Sequence, residues 1–173
     1  EEIIPALDIV GKGFEEKTVY LPQLLMSAEA AKNSFEVIKE KLTAEGGQQN
    51  AVEKCTVVIA TVRGDIHDIG KNIVKLLLDN YGFKVIDLGK DVPAEEVVKA
   101  VIEYHAPIAG LSALMTTTVP AMEQTIKMLK EQAPWCKIVV GGAVLNQEYA
   151  DKINSDKYAK DAMETVRYAD SLL

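Results

Sequence analysis

Between Val62 and Lys71 the chain reads Arg63-Gly64-Asp65-Ile66-His67-Asp68-Ile69-Gly70, setting an imidazole between two carboxylates. The spacing Asp65-x-His67 is that of a metal-ligating histidine and the carboxylate that steadies it. A ring that coordinates through one nitrogen usually gives its other N–H to a carboxylate, which fixes the tautomer and raises basicity. The supply of further ligands is thin: the sequence has two histidines and two cysteines, and none of the others is near His67 in the chain. A four-ligand zinc site is therefore not available in this turn. A metal held by one side chain has to arrive with its remaining ligands, as in a macrocycle such as a corrin or a haem. The same spacing fits, about as well, a loop histidine at a helix start with an aspartate beside it. It fits a phosphate site poorly, because a dinucleotide turn would offer bare glycine amides in the order G-x-G-x-x-G, and neither that order nor a P-loop lysine is present.

The elements around this turn can be read from apolar spacing. Residues 56–62 (TVVIATV) are apolar and β-branched, a buried strand stopped by Gly64. Helical spacing over 72–80 ends at Gly82, and a second strand is expected at 83–88. Pro93, at a first helical position, opens a helix with Glu95 and Glu96 in its first turn. A strand at 108–112, a helix opened by Pro120, a strand at 137–140 ending in Gly141-Gly142, a short fifth strand near Tyr158 and a last helix through Val166 and Ala169 complete the series. Strict alternation of β and α implies a doubly wound parallel five-stranded sheet of the Rossmann-like or flavodoxin-like kind, helices on both faces. Such sheets bind ligands outside the carboxyl ends of their strands, which puts the first βα turn, with Asp65 and His67, at the natural site.

Upstream, residues 1–42 read as helical. Leu21, Leu24, Leu25, Ala28, Ala31, Phe35, Ile38 and Leu42 recur at intervals of three and four, and Ile3, Ile4, Leu7, Ile9 and Val10 form another helix closed by Gly11 and Gly13. Two such helices cannot bury both apolar faces on each other alone, so part of a larger bundle, or a docked cap, is expected. Residues 43–54, polar and carrying Gly46-Gly47, read as a linker to an α/β domain over 55–173.

Composition narrows the classes. The 173 residues are 48% hydrophobic and 26% charged, enough to fill the core of one ordinary domain with a small appendage. No apolar run reaches the roughly 18 residues of a membrane span, and no secretory signal is visible, so a soluble cytoplasmic protein is expected. The start at Glu1 reads as a fragment or a trimmed chain. Nineteen basic against 26 acidic residues, a net charge of −7, argue against a nucleic-acid footprint. Cys55, Cys136, His105 and Trp135 lie at the edges of elements with no partner in the pattern, and no role is assigned to them.

Three motifs on three successive βα turns carry a resemblance. The stretch 64–74 resembles the D-x-H-x-x-G signature of cobalamin-binding domains; Gly110-Leu111-Ser112-Ala113-Leu114-Met115-Thr116-Thr117-Thr118 is similar to the family's S-x-L segment, and Gly141-Gly142-Ala143 to its G-G turn. The resemblance covers 55–173. Within the family it is strongest to the cobalamin-binding module of cobalamin-dependent methionine synthase, whose helical cap the residues Phe14 and Tyr20-Leu21-Pro22-Gln23-Leu24 resemble in part.

That resemblance implies cobalamin bound base-off, with cobalt ligated by His67, Asp65 on the other imidazole nitrogen and the Thr118 hydroxyl on Asp65. A serine is common at the Thr118 position, and capping of the helix ahead of Pro120 is its alternative use. Gly64, Gly70, Gly141, Gly142 and Ala143 would remove side chains from the path of the nucleotide tail, Ser112 and Thr116 would contact the tail or its base, and Asp68, Ile69 and Leu114 would be further cofactor-binding residues. Phe14, Leu21 and Leu24 would cover the methyl face of the corrin. The implied function is a methyl carrier, cycling between methylcobalamin and cob(I)alamin, that takes its methyl from methyltetrahydrofolate and gives it to homocysteine. His67 would be released and the His67–Asp65 pair would take up a proton as the methyl leaves. Its partners would be homocysteine, folate and S-adenosylmethionine-dependent reactivation modules or separate methyltransferase subunits, and it would not be catalytically complete alone. The alternative is a stand-alone corrinoid protein of a methylamine or methanol methyltransferase system. A cobalamin-dependent sensor lacks its DNA-binding part here, and a phospho-receiver fails because Ser112 stands where the phosphorylated aspartate should be.

Overall fold

A computed structural model describes residues 3–44 and 54–173. They form two compact units, a helical one within residues 1–53 together with Asn80–Gly82, and an α/β one of Lys54–Asp79 and Phe83–Leu173.

The helical unit holds α1 (Ile3–Glu15) and α2 (Leu21–Ala44). α1 runs through Gly11 and Gly13 instead of closing at them. Gly13 is small for a packing reason: a Cβ there would stand 2.7 Å from Val19 Cγ2, in the turn where the amides of Thr18 and Val19 both reach its carbonyl at 2.8 and 3.0 Å. Leu7, Leu24, Ala28 and Ala31 are buried, while Ile9, Met26 and Val37 remain exposed. α2 continues through Thr43 and Ala44, expected in the linker, because no glycine or proline interrupts it before Gly46. The rest of that linker, residues 45–53, lies outside the described residues.

In the α/β unit the strands are β1 (Lys54–Thr61), β2 (Phe83–Asp87), β3 (Ile108–Ser112), β4 (Lys137–Gly141) and β5 (Lys157–Tyr158), all parallel, in the order β2-β1-β3-β4-β5. The intervening helices are α3 (Ile69–Asn80), α4 (Ala94–Glu103), α5 (Val119–Gln132), α6 (Gln147–Lys152) and α7 (Ala162–Ser171). This is the doubly wound sheet that the alternation implied. Central position explains the strand composition: Val57 through Thr61 are all buried, as a strand covered on both faces must be. Val58, Ala60, Ala109, Leu111, Ile138 and Val140 pack with Val97, Val101, Met122, Ile126 and Leu129 of α4 and α5 in one core.

Several boundaries move from their expected places. α3 starts at Ile69, ahead of the apolar run, with the Asp68 carbonyl accepting the Asn72 amide at 2.9 Å. Pro93 is the residue before α4 (φ −60°, ψ 147°), not its first helical one. α6 has no counterpart in the sequence reading; its six residues are capped by the Asn146 side chain, which accepts the Tyr149 amide at 2.8 Å.

The chain leaves β1 for β2 on one side and returns to β3 on the other, so strand order reverses between β1 and β3. The loops after those two strands meet there. His105 and Trp135, whose rings stack at a centroid distance of 4.8 Å, precede β3 and β4 and so mark the opposite end of the sheet. Among the described residues no helix is long and apolar enough to cross a membrane.

Candidate cofactor site at the carboxyl end of the sheet

The loop after β1 turns sharply at Gly64, whose φ of 83° is easy for glycine and strained for other residues. The turn delivers Asp65 into the interior, with its amide donating to the Val62 carbonyl at 3.0 Å. The Asp65 side chain is fully buried. Its Oδ1 accepts the His67 backbone N–H at 3.0 Å and lies 2.8 Å from His67 Nδ1. Its Oδ2 accepts the amide of Leu114 at 2.7 Å and that of Met115 at 3.3 Å, and lies 2.9 Å from the Thr118 hydroxyl. One oxygen therefore serves the β1 loop and the other the loop after β3.

Burial pushes this carboxyl up, but the His67 and Leu114 amides, the His67 ring and the Thr118 hydroxyl together outweigh burial and hold it well below the ordinary aspartate range. Asp65 is thus an anion and can only accept. Its partner nitrogen, Nδ1, must carry a proton, which in the neutral ring leaves the lone pair on Nε2. That nitrogen has no hydrogen-bond partner among the described residues, and the side chain is 46% exposed. The result is an exposed imidazole with a fixed tautomer and one nitrogen left over.

Thr118 does not cap α5. Its buried hydroxyl sits between Asp65 Oδ2 and the Met115 carbonyl, 2.8 Å away, and its single proton serves these two acceptors. Ile66 and Leu114 are exposed apolar side chains in the same two loops, and Ile69 is another at the start of α3. Among the described residues no group of three or more His, Cys, Asp or Glu side chains could hold a metal ion. A metal on His67 therefore has to bring its other ligands, and the residues present fit a corrinoid better than a bare ion.

Comparison with known proteins is decisive at the family level. A family model described as a B12 binding domain matches residues 55–167, and a second model of the same description matches residues 1–39. This chain belongs to the B12-binding domain family. Over 167 residues it is 43% identical to dimethylamine corrinoid protein 1 of Methanosarcina acetivorans, covering 95% of this chain and 76% of that protein. It is 42% identical to dimethylamine corrinoid protein 3 of Methanosarcina mazei, covering 95% and 98%. Among solved structures it is similar to the methanol:cobalamin methyltransferase complex of Methanosarcina barkeri, with a TM-score of 0.80 and 34% identity over 98% of this chain and 64% of that one.

Other expected positions in this B12-binding domain divide. Gly142, with φ 137°, is held to glycine by its surroundings: a Cβ would fall 1.8 Å from the Ala113 carbonyl oxygen, so the G-G turn packs backbone to backbone on the loop after β3. At Gly141 a Cβ would lie 3.3 Å from the Ala159 carbonyl. At Gly70, in contrast, a Cβ would meet nothing within 4 Å, so no neighbour among the described residues requires glycine there. Asp68 and Ser112 are half-buried, Thr116 and Ala143 exposed, and the Ser112 carbonyl accepts the Val62 amide at 3.1 Å. In the helical unit Phe14 and Leu21 are half-buried, but Leu24 is fully buried, which makes it a packing residue with no surface to offer.

The sequence reading missed two contributors. The Leu114 and Met115 amides are main-chain groups from a segment 49 and 50 residues away, invisible in side-chain patterns. Asp91, in the loop after β2, accepts the Gly64 amide at 2.6 Å and donates its own amide to the Asp65 carbonyl at 2.9 Å. The signal for it was the crowded turn Gly89-Lys90-Asp91-Val92-Pro93.

Proposed function

We propose that this chain is a corrinoid carrier of a methylamine- or methanol-type methyltransferase system, holding cobalamin with His67 Nε2 as the cobalt ligand. The observation that carries this is the His67 ring fixed through Nδ1 on a fully buried, anionic Asp65, on a side chain that is half-exposed and whose other nitrogen has no hydrogen-bond partner among the described residues. Relatives named as corrinoid proteins, aligned over most of their own length, support the carrier reading over the methionine synthase module that the motifs first resembled. When bound, cobalamin supplies a methyl group that it can accept from one substrate and donate to another.

The protein's own part is to hold, aim and neutralise. Asp65 keeps the proton on Nδ1 and the lone pair on Nε2, and the Leu114 and Met115 amides with the Thr118 hydroxyl keep Asp65 ionised. Gly141, Gly142, Ser112 and Thr116 would border the nucleotide tail, and Phe14 and Leu21 would cover the corrin. Residues 1–42 would serve as the helical cap and 55–173 as the cobalamin-binding domain.

The test is reconstitution with methylcobalamin followed by visible absorption and methyl-transfer assays. The wild-type spectrum should be that of a histidine-ligated corrinoid, and His67→Gly should convert it to the base-off, water-ligated form. Methyl transfer with methylamine or methanol methyltransferases supports the carrier; transfer only with methyltetrahydrofolate and homocysteine modules supports the methionine synthase reading. An unchanged His67→Gly spectrum refutes the ligand assignment.

A further inference from the structure

β1 and β2 stop pairing at Ile59 and Asp87, yet the two chains do not part there. The Thr61 amide donates to the Gly89 carbonyl at 2.9 Å and the Val92 amide to the Thr61 carbonyl at 3.1 Å, with an isolated parallel bridge between Val62 and Val92. Beyond this point the backbone of the β1 loop turns inward at Gly64 and a regular ladder cannot follow it. Asp91 takes over with its side chain. Its Oδ1 accepts the Gly64 amide at 2.6 Å, and its own amide donates to the Asp65 carbonyl at 2.9 Å. The residue adopts φ 55°, a left-handed conformation that aspartate tolerates better than most residues but that still costs energy. A strained residue that holds the N–H on the entering side of Gly64 and the carbonyl on the leaving side of Asp65 is placed to set where this two-residue segment points.

We propose that Asp91 is a positioning residue for the cofactor ligand: it clamps the Gly64–Asp65 segment from both sides, and through Asp65 sets the aim of the His67 ring. This rests on the proposed ligation by His67. The loop is itself anchored, since the Gly89 amide donates to Asp87 Oδ1 at 2.9 Å and Lys71 Nζ, from the first turn of α3, reaches the same oxygen at 2.5 Å. Asp91 therefore transmits the position of a rigid loop to the one turn whose geometry the ligand needs. Its exposed side chain contributes nothing to the core, so its removal should spare the fold.

Three variants of the full 173-residue chain separate the effects. Asp91→Gly removes the acceptor and relieves the left-handed backbone, Asp91→Ala removes the acceptor only, and Asp91→Asn keeps an acceptor oxygen while losing charge. In the apoprotein, hydrogen exchange at the Gly64 amide should quicken about tenfold in Asp91→Gly and Asp91→Ala, the loss of one charge-assisted hydrogen bond, and change little in Asp91→Asn. With methylcobalamin added, the histidine-ligated fraction should fall in the first two and be largely rescued by Asp91→Asn. Unchanged Gly64 exchange in Asp91→Gly, or an Asp91→Asn as defective as Asp91→Gly, overturns the proposal. If the wild type itself lacks a histidine-ligated spectrum, the ligand assignment fails instead, and the exchange data still decide whether Asp91 holds the turn. Should Asp91→Ala not fold, the glycine and asparagine variants alone decide between the same two outcomes.

Discussion

Replacing Asp65 by asparagine changes one oxygen to an amide and, by the geometry of its partners, should reverse the tautomer of His67. Every neighbour of this carboxylate is a donor. If the new NH2 takes the Oδ2 side, the backbone amides of Leu114 and Met115 lose their acceptor and cannot turn away, while Thr118 can swing fully to the Met115 carbonyl. At about 1–3 kcal/mol for each orphaned donor, that orientation costs roughly 2–6 kcal/mol. If the NH2 takes the Oδ1 side, only the His67 backbone N–H is orphaned, next to a half-exposed side chain, at about 1–2 kcal/mol. The ring escapes its own clash by moving its proton from Nδ1 to Nε2. The second orientation wins, and it fills the lone pair that would face cobalt. Global stability should therefore fall by about 2 kcal/mol, a Tm loss on the order of 4–8 °C for a chain of this size, while the histidine-ligated spectrum with methylcobalamin is lost almost entirely. Thermal unfolding, visible absorption and 15N NMR of the His67 ring measure the three quantities. A variant that keeps the Nδ1 proton and the histidine-ligated spectrum refutes the reasoning.

Lys71 is buried and its ammonium joins Asp87, whose carboxyl burial pushes up but Lys71, the Gly89 amide and Lys75 together hold below its usual range. The stabilisation from Asp87 is therefore present above the unfolded aspartate pKa and lost as pH falls through the lower folded value. Lys71→Met, which leaves that carboxylate only the Gly89 amide and the more distant Lys75, should cost about 2–4 kcal/mol at pH 7 and less at acid pH, by denaturant unfolding across pH. Gly142→Ala should cost at least about 3 kcal/mol or prevent folding, since its Cβ would coincide with the Ala113 carbonyl and φ 137° is foreign to alanine; wild-type stability would contradict the packing described.

What the sequence could and could not disclose follows from the range of each interaction. Asp65 and His67 are two residues apart, so their pairing is a local event that spacing can announce. The strand and helix order was legible because each core element repeats its apolar residues at its own period. Helix ends were less so: Gly11 and Gly13 look like stops but sit inside α1, and at Gly13 close packing of Val19 rather than chain reversal requires a small residue. Thr118 was assigned to Asp65 by resemblance and could not be distinguished from a helix cap by composition; its distance to Asp65 is a tertiary fact. The amide contacts of Leu114 and Met115 and the grip of Asp91 on Gly64 are fixed only when loops far apart in the chain meet.

The carboxylate of Asp65 is a seam. Strand order reverses between β1 and β3, and Asp65 Oδ1 is satisfied by the half of the molecule that it belongs to, Oδ2 by the half beyond the reversal. Neither half alone could keep that buried anion solvated, so the aim of the imidazole is a property of the assembled sheet and not of the loop that carries it. A polypeptide ending before β3 would contain both Asp65 and His67 and still have no directed imidazole.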